Sequence, residues 1–126
     1  MSVVYVALGG ALGASLRYGV NIIALKALGP ALPWGTLAVN LLGGLAMGVL
    51  IGWLSFRAGD SGQAWRLFWG VGVLGGFTTF SAFALEAANM IERKAFLSAV
   101  GYSLISVLGA VLAVFVGLTL ARRVFA

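Results

Sequence analysis

The sequence predicts an all-α membrane protein of four transmembrane helices, and three observations carry that expectation. Of its 126 residues, 62% are hydrophobic and only 9% are charged, where a soluble domain carries about 25% charge. The apolar residues gather into four stretches, each at or above the ~20 residues a helix needs to cross a bilayer core. Backbone polar groups cannot go unpaired in lipid, which makes the stretches helices. Barrel strands would be about half as long and would alternate.

The first stretch covers about residues 3–25. It lacks the charged start and cleavage site of a secretory signal, so it reads as a permanent span. A turn with Gly29, Pro30 and Pro33 follows, and the second stretch runs over about 36–56. The polar loop RAGDSGQ leads into the third, about 65–91, which closes at Glu92, Arg93 and Lys94. The fourth covers about 96–121 and ends at Arg122 and Arg123. The whole chain, 1–126, is expected to form a single transmembrane domain.

The composition excludes several functions. Cysteine and histidine are absent and the only carboxylates are Asp60, Glu86 and Glu92. That leaves no thiolate nucleophile, no disulfide and no imidazole base, so no enzyme is expected. The net charge of +5 does not imply nucleic acid, because the basic residues sit at segment ends, where lysine and arginine meet lipid headgroups.

Four spans put both termini and the second loop on one side. That side carries Arg57, Arg66, Arg122 and Arg123, and the other carries Lys26, Arg93 and Lys94. The near balance leaves two readings open: insertion in both orientations, or one orientation winning on a small margin. Glycine recurs every fourth residue at Gly44, Gly48 and Gly52 and at Gly9 and Gly13, the spacing by which apolar helices pack closely. Four helices enclose little interior, which favours a homo-oligomer.

Polar residues at membrane depth each need an account. Arg17 lies deep in the first span and suggests a water-filled vestibule. Asn40 suits an interhelical hydrogen bond or donation to a desolvated anion. The third span contains GVLGGFTTFSAF (72–83). Its glycines make a helix break near the middle plausible, and a break frees carbonyls that are hard ligands for a small cation. Thr78, Thr79 and Ser81 bond back to carbonyls or line a path. Phe80 and Phe83 share a face, for packing or for presenting electropositive ring edges to an anion. Glu86 is a site candidate or a solvated or salt-bridged side chain. Tyr102 and Ser106 share a face of the fourth span, and donors without an acid among them suit an anion path.

These residues together resemble the small bacterial fluoride channels, the Fluc or CrcB family. Three patches carry the resemblance: GGALGASLRY (9–18), GTLAVNLLGG (35–44) and GVLGGFTTFSAF (72–83). It extends over essentially the whole chain. It implies an antiparallel, dual-topology homodimer in the bacterial plasma membrane, with two pores built from both subunits. Asn40, Phe80, Phe83, Tyr102 and Ser106 would line the fluoride path, with Thr79 and Ser81 adding hydroxyls and Arg17 at the vestibule. A structural sodium ion, not transported, would be held at the dimer centre by the Gly75 and Thr78 carbonyls. Ala110, one turn beyond Ser106, offers no hydroxyl where some relatives have one. The function implied is passive, fluoride-selective efflux, with fluoride, lipid and a second copy as partners. The rivals are a four-span multidrug-type exporter, which wants a carboxylate that the first two spans lack, and a structural membrane protein without transport.

Overall fold

The computed structural model describes residues 2–57 and 59–126. Four helical spans, each long and apolar enough to cross a membrane, make up nearly all of it: Ser2–Leu28, Trp34–Arg57, Gly62–Glu92 and Phe96–Phe125. The protein is a multi-pass membrane protein. Its buried core is small, with Val39, Val73, Met90 and Tyr102 as the largest members. Most leucines, valines and isoleucines face outward, as a lipid-facing surface allows.

Local chemistry ends the helices. Gly29 stops the first span in the left-handed region at φ +81°, its amide bonded to the Leu25 carbonyl at 2.9 Å. Pro30 and Pro33 then forbid continuation. The third span ends in a Schellman motif: Lys94 N–H donates to Ile91 and Ala95 N–H donates to Met90. Lys94 takes the left-handed conformation there at φ 62°, a position glycine usually fills.

Two glycine seams hold the bundle. The second span packs most extensively on the fourth. A Cβ on Gly44, Gly48 or Gly52 would collide with Ala110, with Val114 and Gly117, or with Ala121. The first span packs on the upstream half of the third, where Gly9 and Gly13 lie against the main chain of residues 68–77.

The third span is not one regular α-helix. After a short turn at Gly62–Trp65, residues Arg66–Leu74 form wide π-type turns. The Gly75 amide reaches back five residues to the Gly70 carbonyl. An α-turn follows at Gly75–Phe77. Thr78 (φ −83°, ψ 160°) and Thr79 (φ −152°, ψ 121°) are extended, and α-helix resumes over Phe80–Glu92. The extended residues are the two threonines. Gly75 and Gly76, the residues the sequence marks as permissive, keep helical geometry.

Candidate functional site

The extended pair leaves backbone groups without helical partners, and a buried peptide group must find others. Asn40 supplies them. Its Oδ1 accepts from Thr79 N–H at 2.8 Å, and its Nδ2 donates to the Thr79 carbonyl at 3.0 Å. Both sequence readings of Asn40 bear on this geometry. The amide makes the interhelical bonds, and one N–H remains for another acceptor. Thr79 also caps the downstream helix, its hydroxyl accepting from Ala82 N–H at 3.2 Å. The Thr78 hydroxyl bonds back to Leu74 at 3.0 Å. Upstream of the extended pair, Arg17 Nε donates to the Gly76 carbonyl at 3.0 Å.

An open groove of about 410 Å³ runs beside this junction, lined by Asn40, Thr78, Thr79, Phe80, Phe83 and Ser106, with Ala110 further along. Most of the residues that the sequence singles out therefore meet in one place. Phe80 and Phe83 stand 5.6 Å apart, tilted by 48°. Their environments differ, since Phe80 is 78% exposed in the single chain while Phe83 is half-buried and packs on Tyr102 at 5.2 Å. Tyr102 and Ser106 are 7% and 6% exposed. Among the described residues, neither hydroxyl makes a well-formed hydrogen bond, although that of Tyr102 lies near those of Ser106 and Thr36. Ser81 is exposed; its hydroxyl lies 3.4 Å from that of Thr79 and it does not line the groove.

Glu86 accepts a hydrogen bond from the buried Thr36 hydroxyl. It shares a second cavity of about 430 Å³ with Asn89, Glu92 and Arg93. Thr36 and the Phe83–Tyr102 contact are absent from the sequence reading. One signal was available: Thr36 and Asn40 are four apart, so they share a face of the second span.

For a metal, the described residues hold no cluster of three histidine, cysteine, aspartate or glutamate side chains. The donors on offer at the junction are carbonyls. Gly75 is exposed, with open space beside it apart from the Gly70 carbonyl, and the ψ of 160° at Thr78 turns its carbonyl out of the helix line. Hard oxygen donors of this kind fit a hard cation, a small alkali ion among them, and do not suit a soft metal.

Fold and site define a small four-span membrane protein with a largely apolar groove beside the extended Thr78–Thr79 pair, into which Asn40, Thr79 and Ser106 bring polar groups and, among the described residues, no acid does. The chain belongs to the CrcB-like family: residues 4–118 match the family described as CrcB-like protein, Camphor Resistance (CrcB). It is 58% identical over 118 residues to a protein of Phenylobacterium zucineum named fluoride-specific ion channel FluC, covering 94% of this chain and 93% of that one. Proteins of the same name from Hyphomonas neptunium and Caulobacter vibrioides (strain NA1000 / CB15N) are 55% and 52% identical, each over 96% of this chain and 95% of theirs.

Proposed function

We propose that this chain is a fluoride-selective channel of the bacterial plasma membrane, giving passive fluoride efflux, and not an enzyme. Family membership and the names of its relatives support this reading. The structural observation that carries it is the pair of neighbouring buried hydroxyls, Tyr102 and Ser106, neither of which makes a well-formed hydrogen bond among the described residues. An orphan buried hydroxyl costs about 1–3 kcal/mol. Two of them, one beside Phe83 and one on the groove that holds Asn40, suit an anion that accepts from them in turn. The interruption adds to this. The downstream helix Phe80–Glu92 begins at the groove, and the positive end of its dipole favours an anion there.

Hydrogen fluoride crosses membranes uncharged and dissociates in the less acidic cytoplasm. The inside-negative potential then drives the anion out, by roughly 2.3 kcal/mol per 100 mV. Fluoride holds water strongly, so the path must replace that water with several donors, each weak enough to let go. Neutral amides, hydroxyls and ring edges meet that condition. The roles follow from position: the Asn40 N–H, the Thr79 hydroxyl and the Tyr102 and Ser106 hydroxyls donate, while Phe80 and Phe83 present ring edges. Ser81 adds a hydroxyl near the path.

The finer architecture is part of the proposal. The exposed Phe80 ring and the open face at Gly75 fit a second copy of the chain, packed antiparallel, with the third span of each broken at Thr78–Thr79. The Gly75 and Thr78 carbonyls of one chain under-coordinate a cation, and a twofold partner doubles them around a structural sodium ion. When bound, that ion would supply fixed positive charge at the junction. The chain's own residues do the rest, with Asn40 fixing Thr79 and Thr79 capping the helix that carries the rings.

Liposomes loaded with fluoride or chloride test the function: purified protein releases fluoride and retains chloride, and no efflux, or equal chloride efflux, sinks the reading. A Tyr102→Phe/Ser106→Ala variant is expected to lose at least about tenfold in flux while its unfolding midpoint holds or rises, because two costly buried hydroxyls are gone. Unchanged flux would make the hydroxyls mere packing. Replacing sodium by choline throughout is expected to abolish flux, and full flux with trace sodium controlled refutes the central ion.

A further inference from the structure

We propose that Arg17 is a positioning residue: it caps the upstream half of the third span at the Gly76 carbonyl, so its charge is engaged by the protein's own backbone rather than offered to a passing ion. The residues that lead to it are Gly9 and Gly13, which with Arg17 recur every fourth residue and share one helix face. A Cβ on Gly9 would strike the main chain at Phe68, Gly72 and Val73, and one on Gly13 would strike Val73 and Phe77. From the opposite side, a Cβ on Gly76 would meet the Gly10 carbonyl and the Ala14 amide. The two spans therefore run main chain against main chain, and the next turn of the first span delivers Arg17. Its half-buried side chain places Nε 3.0 Å from the Gly76 carbonyl oxygen.

The carbonyl needs a donor for a definite reason. In a continuous helix it would accept from the N–H four residues on, that of Phe80. The extended Thr78 and Thr79 carry Phe80 into a new helix and remove that partner. The last carbonyls of a helix are orphaned and lie at the negative end of its dipole, where a cation is favoured. Arg17 supplies a charged donor from the first span, and Asn40 from the second span holds Thr79 on the far side. The extended pair is bracketed by side chains of two different spans. Under the sodium reading above, on which this one clause rests, Arg17 also occupies the Gly76 carbonyl and leaves those of Gly75 and Thr78 to the cation.

Hydrogen–deuterium exchange on the purified full chain tests the proposal, with Arg17→Met, Arg17→Lys and, as control, Arg57→Met, which removes a comparable bond to the Phe125 carbonyl at the end of the fourth span. Arg17→Met is expected to speed exchange in peptides covering residues 74–83 by about tenfold or more, the effect of losing a charge-assisted bond, with the fourth span unchanged. Arg57→Met leaves residues 74–83 as in the wild type. Arg17→Lys rescues in part, because its single nitrogen lies one bond beyond the position of Nε. No change at 74–83 in Arg17→Met, or an equal rise along the whole chain, overturns the proposal. If the methionine variant does not fold, the lysine variant decides: protection equal to wild type means charge alone suffices and overturns positioning through Nε. A second readout compares unfolding midpoints in sodium and choline chloride. A bystander cation would repel sodium, so its removal would strengthen the sodium effect, whereas loss of a cap weakens it. Strengthening overturns the proposal. A wild type insensitive to sodium refutes the sodium reading instead and leaves the exchange result to decide the role of Arg17.

Discussion

Asn40→Asp is expected to lower fluoride flux by at least about 100-fold, equivalent to about 2.8 kcal/mol at 1.4 kcal/mol per tenfold step. The carboxylate keeps the bond from Thr79 N–H, since that bond uses the oxygen. It loses the donor to the Thr79 carbonyl and sets lone pairs against that oxygen. It also places negative charge on the groove, where an anion must pass. Asn40→Leu removes both bonds and leaves an N–H and a C=O unpaired at membrane depth, each worth about 1–3 kcal/mol. The leucine variant should therefore be the less stable of the two, while both lose flux. Efflux from liposomes, scaled to the protein that survives gel filtration, separates the two effects. An aspartate variant with wild-type flux would show that the amide serves only as an interhelical tie.

The spans were legible because lipid imposes a single demand, paired backbone groups over a fixed thickness, and apolar runs report it directly. The cluster of Asn40, Phe80, Phe83 and Ser106 was legible for a related reason: polar groups at membrane depth are few, and a four-helix chain has few interiors to share. Partners were not legible. Nothing in the spacing of Asn40 and Thr79, thirty-nine residues apart, says that one amide closes both backbone groups of a threonine. Arg17 shows the same limit, because its depth implied a special environment and its acceptor, a main-chain oxygen, leaves no mark on the side-chain pattern. The glycines point to distortion at Gly75 and Gly76, yet the extended residues are the two threonines, whose hydroxyls back-bond to Leu74 and cap the downstream helix. The Ser81 hydroxyl lies next to that of Thr79, at the side of the groove and not on its lining, because helix geometry turns it from the face that Phe80 and Phe83 share.

Gly48→Ala is expected to destabilise the fold by about 1–3 kcal/mol, the range for overpacking a close-packed interior. A Cβ there would strike the Val114 carbonyl, with the Leu118 amide 2.9 Å away and the Gly117 Cα 3.0 Å away. These are main-chain atoms, which move only if the second and fourth spans separate. Gly117 faces the reverse situation, since its Cβ would strike the Leu45 carbonyl and approach the Val49 amide to 2.8 Å and the Gly48 Cα to 3.0 Å. The two glycines thus contact across one seam, and Gly48→Ala/Gly117→Ala should fall short of the sum of the single effects, because the first substitution already opens the seam. Gly19→Ala is the internal control: its Cβ meets nothing within 4 Å, and alanine's helix propensity makes it neutral or slightly stabilising. Unfolding midpoints in detergent give all four comparisons. A Gly48→Ala variant as stable as Gly19→Ala would mean the second and fourth spans are held by their leucines and valines, and that the glycine spacing at 44, 48 and 52 is incidental to the packing.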